Sequence, residues 1–360
     1  MLETKRVILN PFFRLNLKKP ITCDLFLTGN TVELPTEHYV PLLAALDRAL
    51  AIDTAARKAA DVLSISVAEG KAVVEDLMAA EILVPEERQF PELPAVHHWI
   101  DRGWLEALML HLRTRNLEFV DDVTDAEAVL DASSADIMRE ERLPEIWKTY
   151  PDATFIELPP PAALPSEKLT EVLVRRRSHQ PWRGESITLQ QLSTMLHFAS
   201  LRTVRCRRET EAQVKAKPSV LQLSSSFCAL ETYIVAHAIR GLEPGVYFYD
   251  PQHHRVTRLK SGPFRDAVCK AALGQKRASS GSCTFLITAV WERYMYRYRH
   301  SRAFHRLMIS VSELTQKYLV LATALQLNTF LTPNLHYGDC DDLLGTNSYK
   351  EGTLCLITVG

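Results

Sequence analysis

Between residues 301 and 327 apolar side chains recur at intervals of three and four: Phe304, Leu307, Met308, Val311, Leu314, Tyr318, Leu321 and Leu325. This spacing predicts one long helix. Its stripe suits the buried spine of a large domain or of a subunit interface. Shorter stretches repeat the same period. HYVPLLAALDRAL, TAARKAADVL and VAEGKAVVEDLMAAEIL predict three small helices, the last with Val73, Val74, Leu77, Ala80, Ile82 and Leu83 near one face. WLEALMLHLRTRNLEFV predicts another, with Leu105, Leu108, Met109 and Leu112 in register. EKLTEVLVRRRS and TLQQLSTMLHFASL predict two more, the second capped by Thr188. Residues 125–150 read as acidic and helical. ETYIVAHAI, GVYFYD, TFLITAVWE and TLCLITVG are rich in β-branched and aromatic residues and predict strands. ITCDLFLTGNTVEL predicts two short strands around a Gly29-Asn30 turn, and ILVPE a third. Residues 205–217, RCRRETEAQVKAK, carry many charges and few apolar side chains, which predicts a mobile loop.

These elements divide the chain into three regions. Residues 1–90 combine short strands with small helices, the pattern of a winged-helix-like module. Such a module either only packs, or holds a peptide that adds a strand to an open sheet edge. Residues 91–165 form a helical connecting region ending in a linker with Pro159, Pro160, Pro161 and Pro165. Residues 166–360 mix helices and strands, an α+β pattern.

Composition narrows the function. Lys plus Arg number 42 and Asp plus Glu 43, a net charge of −1, so no overall field favours nucleic acid or an anionic membrane. No apolar run has the length of a membrane span or of a signal peptide, and the cytoplasm is the expected compartment. The seven cysteines are odd in number and widely spaced, without a CxxC pair, which speaks against a disulfide framework or a structural zinc site. His97-His98 and His253-His254 lack partners at metal-ligand spacing, so no metal site is expected. The phosphate loops GxGxxG and GxxxxGK[ST] and the nucleophile elbow GxSxG do not occur.

One basic cluster remains. Arg175, Arg176, Arg177 and Ser178 end one helix and precede another. Guanidiniums and a hydroxyl there suit a phosphate, although a basic last turn that compensates a helix dipole reads the same way. The pieces that follow are GLEPGVYFYDPQHHRVTRL, then FLITAVWERYMYRYRHSRAFHRLMISVSELTQ, LATALQLNTFLTPNLHYGDCDDLLG and EGTLCLITVG. In that order they resemble the nitroreductase-like flavoproteins, and within them the SagB-type dehydrogenases that oxidise thiazolines and oxazolines in ribosomal peptides. The resemblance covers about residues 165–360, and the N-terminal regions also look like that family's leading segments.

The resemblance implies a nitroreductase-like C-terminal domain, a homodimer and FMN held between subunits. It implies hydride transfer from substrate to flavin while a base removes a proton. Its expected partners are a precursor peptide and a cyclodehydratase or other biosynthetic enzyme. By the matching positions, Arg176, Arg177 and Ser178 would meet the FMN phosphate. Ser224, Ser225 and Ser226 would lie near the ring, where relatives carry a glycine-containing loop. Relatives place a basic residue where Gln180 stands. The relatives' catalytic Lys-Tyr pair matches Arg297 and Tyr298. Arginine stays protonated, so Tyr298 is the candidate base, with Arg297 lowering its pKa. These departures leave two readings open: an active FMN oxidoreductase, or a catalytically degenerate partner or peptide-binding subunit that has lost FMN.

Overall fold

The computed structural model describes residues 5–115, 142–151, 153–178, 180–182, 184, 186–216 and 226–360, together with 117, 125, 128, 129, 132, 135–137 and 139. The chain divides into two units, 1–119 and 120–360.

The first unit opens with strands β1 (Arg6–Leu9), β2 (Phe13–Asn16), β3 (Thr22–Leu25) and β4 (Thr31–Glu33). Helix α1 (Tyr39–Ala45), strand β5 (Leu50–Ala51), helices α2 (Ile52–Leu63) and α3 (Val67–Ala79) and strand β6 (Leu83–Pro85) follow. They build two antiparallel sheets, ordered β5-β1-β6 and β2-β3-β4. The β3–β4 hairpin turns at Gly29, whose φ of 79° suits glycine. Ser66 and Glu69 close a capping box at the start of α3. Gly70 lets α3 lie close on α2: a Cβ there would stand 2.3 Å from the Ala56 carbonyl. Leu42, Leu43, Val74, Leu77 and Ile82 fill the core. Helices α4 (Leu93–Asp101) and α5 (Leu105–Thr114) belong to this unit, and Met109 of α5 packs with Phe12 and Phe26.

The second unit contains β7 (Phe155–Glu157), α6 (Leu169–Arg175), β8 (Ile187–Thr188), α7 (Leu189–Ala216), β9 (Leu230–Ala236), β10 (Ile239–Arg240), β11 (Gly245–Asp250) and β12 (Arg255–Ser261). It continues with α8 (Arg265–Ala271), β13 (Cys283–Val290), α9 (Trp291–Met295), α10 (Ala303–Ala324), β14 (Thr329–Thr332), α11 (Tyr337–Leu344) and β15 (Glu351–Val359). Seven strands form one sheet in the order β14-β15-β13-β9-β11-β12-β7, with every neighbouring pair antiparallel. Alternate residues bury opposite faces. Ile234, Phe285, Ile287 and Ile357 pack with α7 and α10. Tyr233, Val235, Leu286 and Leu356 pack with α8 and α11. Each such side chain, fully buried, contributes roughly 1.5–3 kcal/mol. This is the α+β arrangement expected, sheet covered on both faces.

The long helix forms as α10, and Leu307, Val311, Leu314, Tyr318 and Leu321 are buried. Tyr318 stacks on Phe285 with ring centroids 4.7 Å apart. Phe304 and Ile309 of the same helix stay exposed, at 46% and 51%. Thr188 and Gln191 cap the start of α7 reciprocally, the Gln191 N–H donating to Thr188 Oγ1 at 3.0 Å and the Thr188 N–H to Gln191 Oε1 at 2.9 Å.

The loop expected at 205–217 is a correction: residues 205–216 are the last three turns of α7. Arg207 is fully buried there because it pairs with Glu231 of β9. Charge within the stretch meets charge far away in sequence, so its composition misleads. The Pro-rich segment runs along α7, with the Pro159 carbonyl accepting from Ser193 Oγ at 2.5 Å and that of Pro160 from Gln190 Nε2 at 2.6 Å. The acidic helix expected over 125–150 needs a correction: among its described residues 128, 129, 132, 135–137 and 139 are helical, but 142–150 are not, since Pro144 cannot continue a helix. All seven cysteines are free thiols. Among the described residues no cluster of potential metal ligands occurs, and no helix is long and apolar enough to cross a membrane.

Candidate functional site

Two polar clusters sit at different levels of α10. The first follows the end of α6. Arg175 is engaged: its two Nη atoms donate to the Glu167 carboxylate at 2.9 and 2.7 Å, and Nη2 also to the Thr323 carbonyl at 2.9 Å. The next residues are committed less. Arg176 Nη1 donates to Ser178 Oγ at 3.2 Å, and the exposed Arg177 to the Arg176 carbonyl at 2.9 Å. Among the described residues neither Arg176 nor Arg177 pairs with a carboxylate. Gln180 Nε2 donates back to the Arg175 carbonyl at 3.3 Å and keeps the segment turned in. Two guanidiniums and a hydroxyl without acidic partners suit a phosphate.

The second cluster gathers around Tyr294. Ser226, only 3% exposed, hydrogen-bonds Ser310 of α10 and the phenol of Tyr294. The Tyr294 and Tyr298 rings lie 4.8 Å apart. The Arg297 guanidinium stands 5.2 Å from the centroid of the Tyr298 ring. Burial, and then the neighbouring Tyr298, push the Tyr294 phenol up to about 12. Ser226, Arg297 and Tyr298, expected at one site, are thus brought together through Tyr294, a residue the sequence reading passes over. Its signal is the four-residue spacing to Tyr298. Ser224 and Ser225 lie outside the described residues.

Buried charge holds this cluster in place. Arg293 of α9 pairs with Glu231 and donates through Nε to the Glu145 carbonyl at 2.5 Å. Trp291 Nε1 donates to the Ser348 carbonyl at 2.7 Å. A Cβ on Gly352 would reach Trp291 Cζ2 at 2.3 Å, so only glycine fits beside this ring. Trp291 and Arg293 anchor α9, and the residues that follow it inherit their direction.

Ser310 and Thr323 mark the two levels on α10. Thirteen residues at about 1.5 Å each put them about 20 Å apart along the helix. Arg176 and Ser178 are therefore at one end of α10, and Ser226 and Tyr298 at the other.

Residues 173–360 match the family model described as the nitroreductase family. The chain belongs to that family, whose members typically bind FMN. It is 32% identical over 338 residues to the trifolitoxin operon protein TfxC of Rhizobium leguminosarum bv. trifolii, covering 91% of this chain and 93% of that protein. The trifolitoxin-processing protein TfxB of the same organism is 24% identical over 179 residues, 48% of this chain and 47% of its own length. Among solved structures, a chain of the E. coli microcin synthetase McbBCD complex with truncated pro-MccB17 bound is 12% identical, with a TM-score of 0.39, over 76% of this chain and 98% of that one.

Proposed function

We propose that this protein is an FMN-dependent, SagB-type dehydrogenase that oxidises azolines in a ribosomally made precursor peptide to thiazoles or oxazoles. The observation that carries the reading is the pair of clusters on α10 in a nitroreductase-family chain. One cluster suits a phosphate, and the other sets a tyrosine beside an arginine. Similarity to a trifolitoxin operon protein over nearly the whole length, and to a trifolitoxin-processing protein over part of it, supports a place in peptide processing; the partners would be a precursor peptide and a cyclodehydratase or other biosynthetic enzyme. The first unit is then a winged-helix-like module that offers a sheet edge to the precursor peptide.

The donors fit the cofactor. Arg176, Arg177 and Ser178 would hold its phosphate, and Ser226 would stand near its ring. The 20 Å between clusters favours a homodimer in which each copy supplies one end of a shared site. Bound FMN supplies a two-electron acceptor for the hydride. Tyr298 takes the proton that the azoline ring loses along with that hydride. Arg297 cannot be the base, because a guanidinium stays charged. Its guanidinium stands over the Tyr298 ring, a cation–π contact that holds the ring in position. Tyr294 stays neutral and, with Ser310, fixes the Ser226 hydroxyl.

One observation favours the second reading, a degenerate partner subunit: the Ser226 hydroxyl is already engaged by Ser310 and Tyr294. Anaerobic mixing of the FMN-loaded protein with an azoline-containing peptide separates the two. The dehydrogenase bleaches the flavin as the peptide loses two hydrogens by mass, and Tyr298→Phe keeps the flavin but slows bleaching by roughly 100-fold or more. A peptide that binds and leaves the flavin oxidised supports the partner subunit.

A further inference from the structure

We infer that Arg277 is a third guanidinium of the phosphate site, and that it makes the protein distinguish FMN from riboflavin. The inference rests on the FMN reading and adds a residue to it.

Arg277 lies in the short turn Lys276–Ala278 before β13, about a hundred residues from Arg176 in sequence. Its Nη2 donates to the backbone carbonyl of Gln180. Gln180 is two residues beyond Ser178, and two residues of chain span at most about 7 Å. The guanidinium packs against two aromatic rings, 5.2 Å from the centroid of Trp182 and 5.9 Å from that of Phe330. The Trp182 side is itself fixed, since Asn328 Nδ2 donates to the Pro181 carbonyl at 2.5 Å.

Several partly or fully buried arginines have carboxylates: Arg175 has Glu167, Arg207 and Arg293 have Glu231, and Arg255 has Asp250; half-buried Arg265 instead donates to the Ser279 and Gly281 carbonyls. Half-buried Arg277 pairs with no carboxylate among the described residues, and its Nε is buried without an acceptor. The Nε1 of Trp182, directly under it, is buried without an acceptor too. A half-buried cation without a counter-ion is costly unless an anion completes it. Arg277 is thus tied to Gln180, two residues along the chain from Ser178, and among the described residues neither it nor Arg176 or Arg177 pairs with a carboxylate. A phosphate monoester is the anion that fits, because planar guanidinium forks bind its oxygens in pairs. Riboflavin shares the ring of FMN but lacks the phosphate, so only FMN gains from Arg277.

The test is titration of the apoprotein with FMN and with riboflavin, following flavin fluorescence, for the parent, Arg277→Met and Arg277→Lys. Methionine retains bulk against the rings, and lysine retains the charge. The expected result is a loss of about 10- to 100-fold in FMN affinity for Arg277→Met with riboflavin affinity unchanged, and a smaller loss for Arg277→Lys. Equal losses for both flavins would make Arg277 a packing residue and overturn the inference. Unchanged FMN affinity in both variants would overturn it as well. If Arg277→Met fails to fold, Arg277→Lys decides alone, through a lowered ratio of FMN to riboflavin affinity. A parent that binds neither flavin overturns the FMN reading itself, an outcome distinct from the others.

Discussion

Arg207 and Glu231 form an ion pair, Nη2 to Oε1 at 3.0 Å, with both side chains out of contact with solvent. Arg293 closes on the same carboxylate from α9. Arg207 also donates to the Leu230 carbonyl at 2.7 Å. Burial alone would raise the Glu231 carboxyl, but the Arg207 and Arg293 charges outweigh it and hold it below the usual range. The triad ties α7, β9 and α9 together, and α9 leads into the Tyr294–Tyr298 cluster.

Glu231→Gln should therefore destabilise the fold by about 3–5 kcal/mol, since two buried guanidiniums lose their counter-charge. Urea unfolding measures it. A change below about 1 kcal/mol, in the range of exposed pairs, would show that water reaches the triad.

His237 gives a pH dependence with a definite sign. Its Nε2 meets Thr284 Oγ1 at 3.1 Å, while Nδ1 is buried without a partner. Burial, and then Arg265, lower it from the ordinary 6.5 to about 3. Above about pH 6.5 neither folded nor unfolded chain carries the proton, and the group has no effect. Below that the unfolded chain binds it and the folded one does not, so stability falls with pH by about 1.4 kcal/mol per unit until pH 3. Between pH 6.5 and 5 the parent should lose roughly 2 kcal/mol more than His237→Gln in denaturant titrations. Parallel curves for the two proteins would mean that His237 protonates freely in the fold.

Much of the second unit is legible from local pattern. Strands such as β13 and β15 bury both faces and read as continuous apolar runs, and α10 declares itself by spacing. The last turns of α7 do not, because Arg207 finds Glu231 twenty-four positions away and composition carries no trace of that partner. The strand β7 is three residues long and owes its place to pairing with β12, so no local signal marks it. At the proposed site, Arg176, Ser178 and Tyr298 are candidates that motif order offers. Tyr294 and Arg277 are not: one acts by contact with neighbours, the other arrives from a turn nearly a hundred residues on.

The exposed Phe304 and Ile309 on α10 fit the proposed homodimer. Replacing both by lysine should convert the protein to a monomer by light scattering and weaken FMN binding at the same time, because each copy would hold only half of a site. A monomer with undiminished FMN affinity would show that one chain holds the flavin alone.

The most direct measurement is the flavin itself. Protein purified without added cofactor is denatured, and the released chromophore is identified and counted against protein; apoprotein is then titrated with FMN. The account predicts yellow protein, FMN as the released flavin, and saturation near one FMN per chain. Colourless protein whose apo form leaves FMN fluorescence unchanged would contradict it and leave the partner-subunit reading in its place.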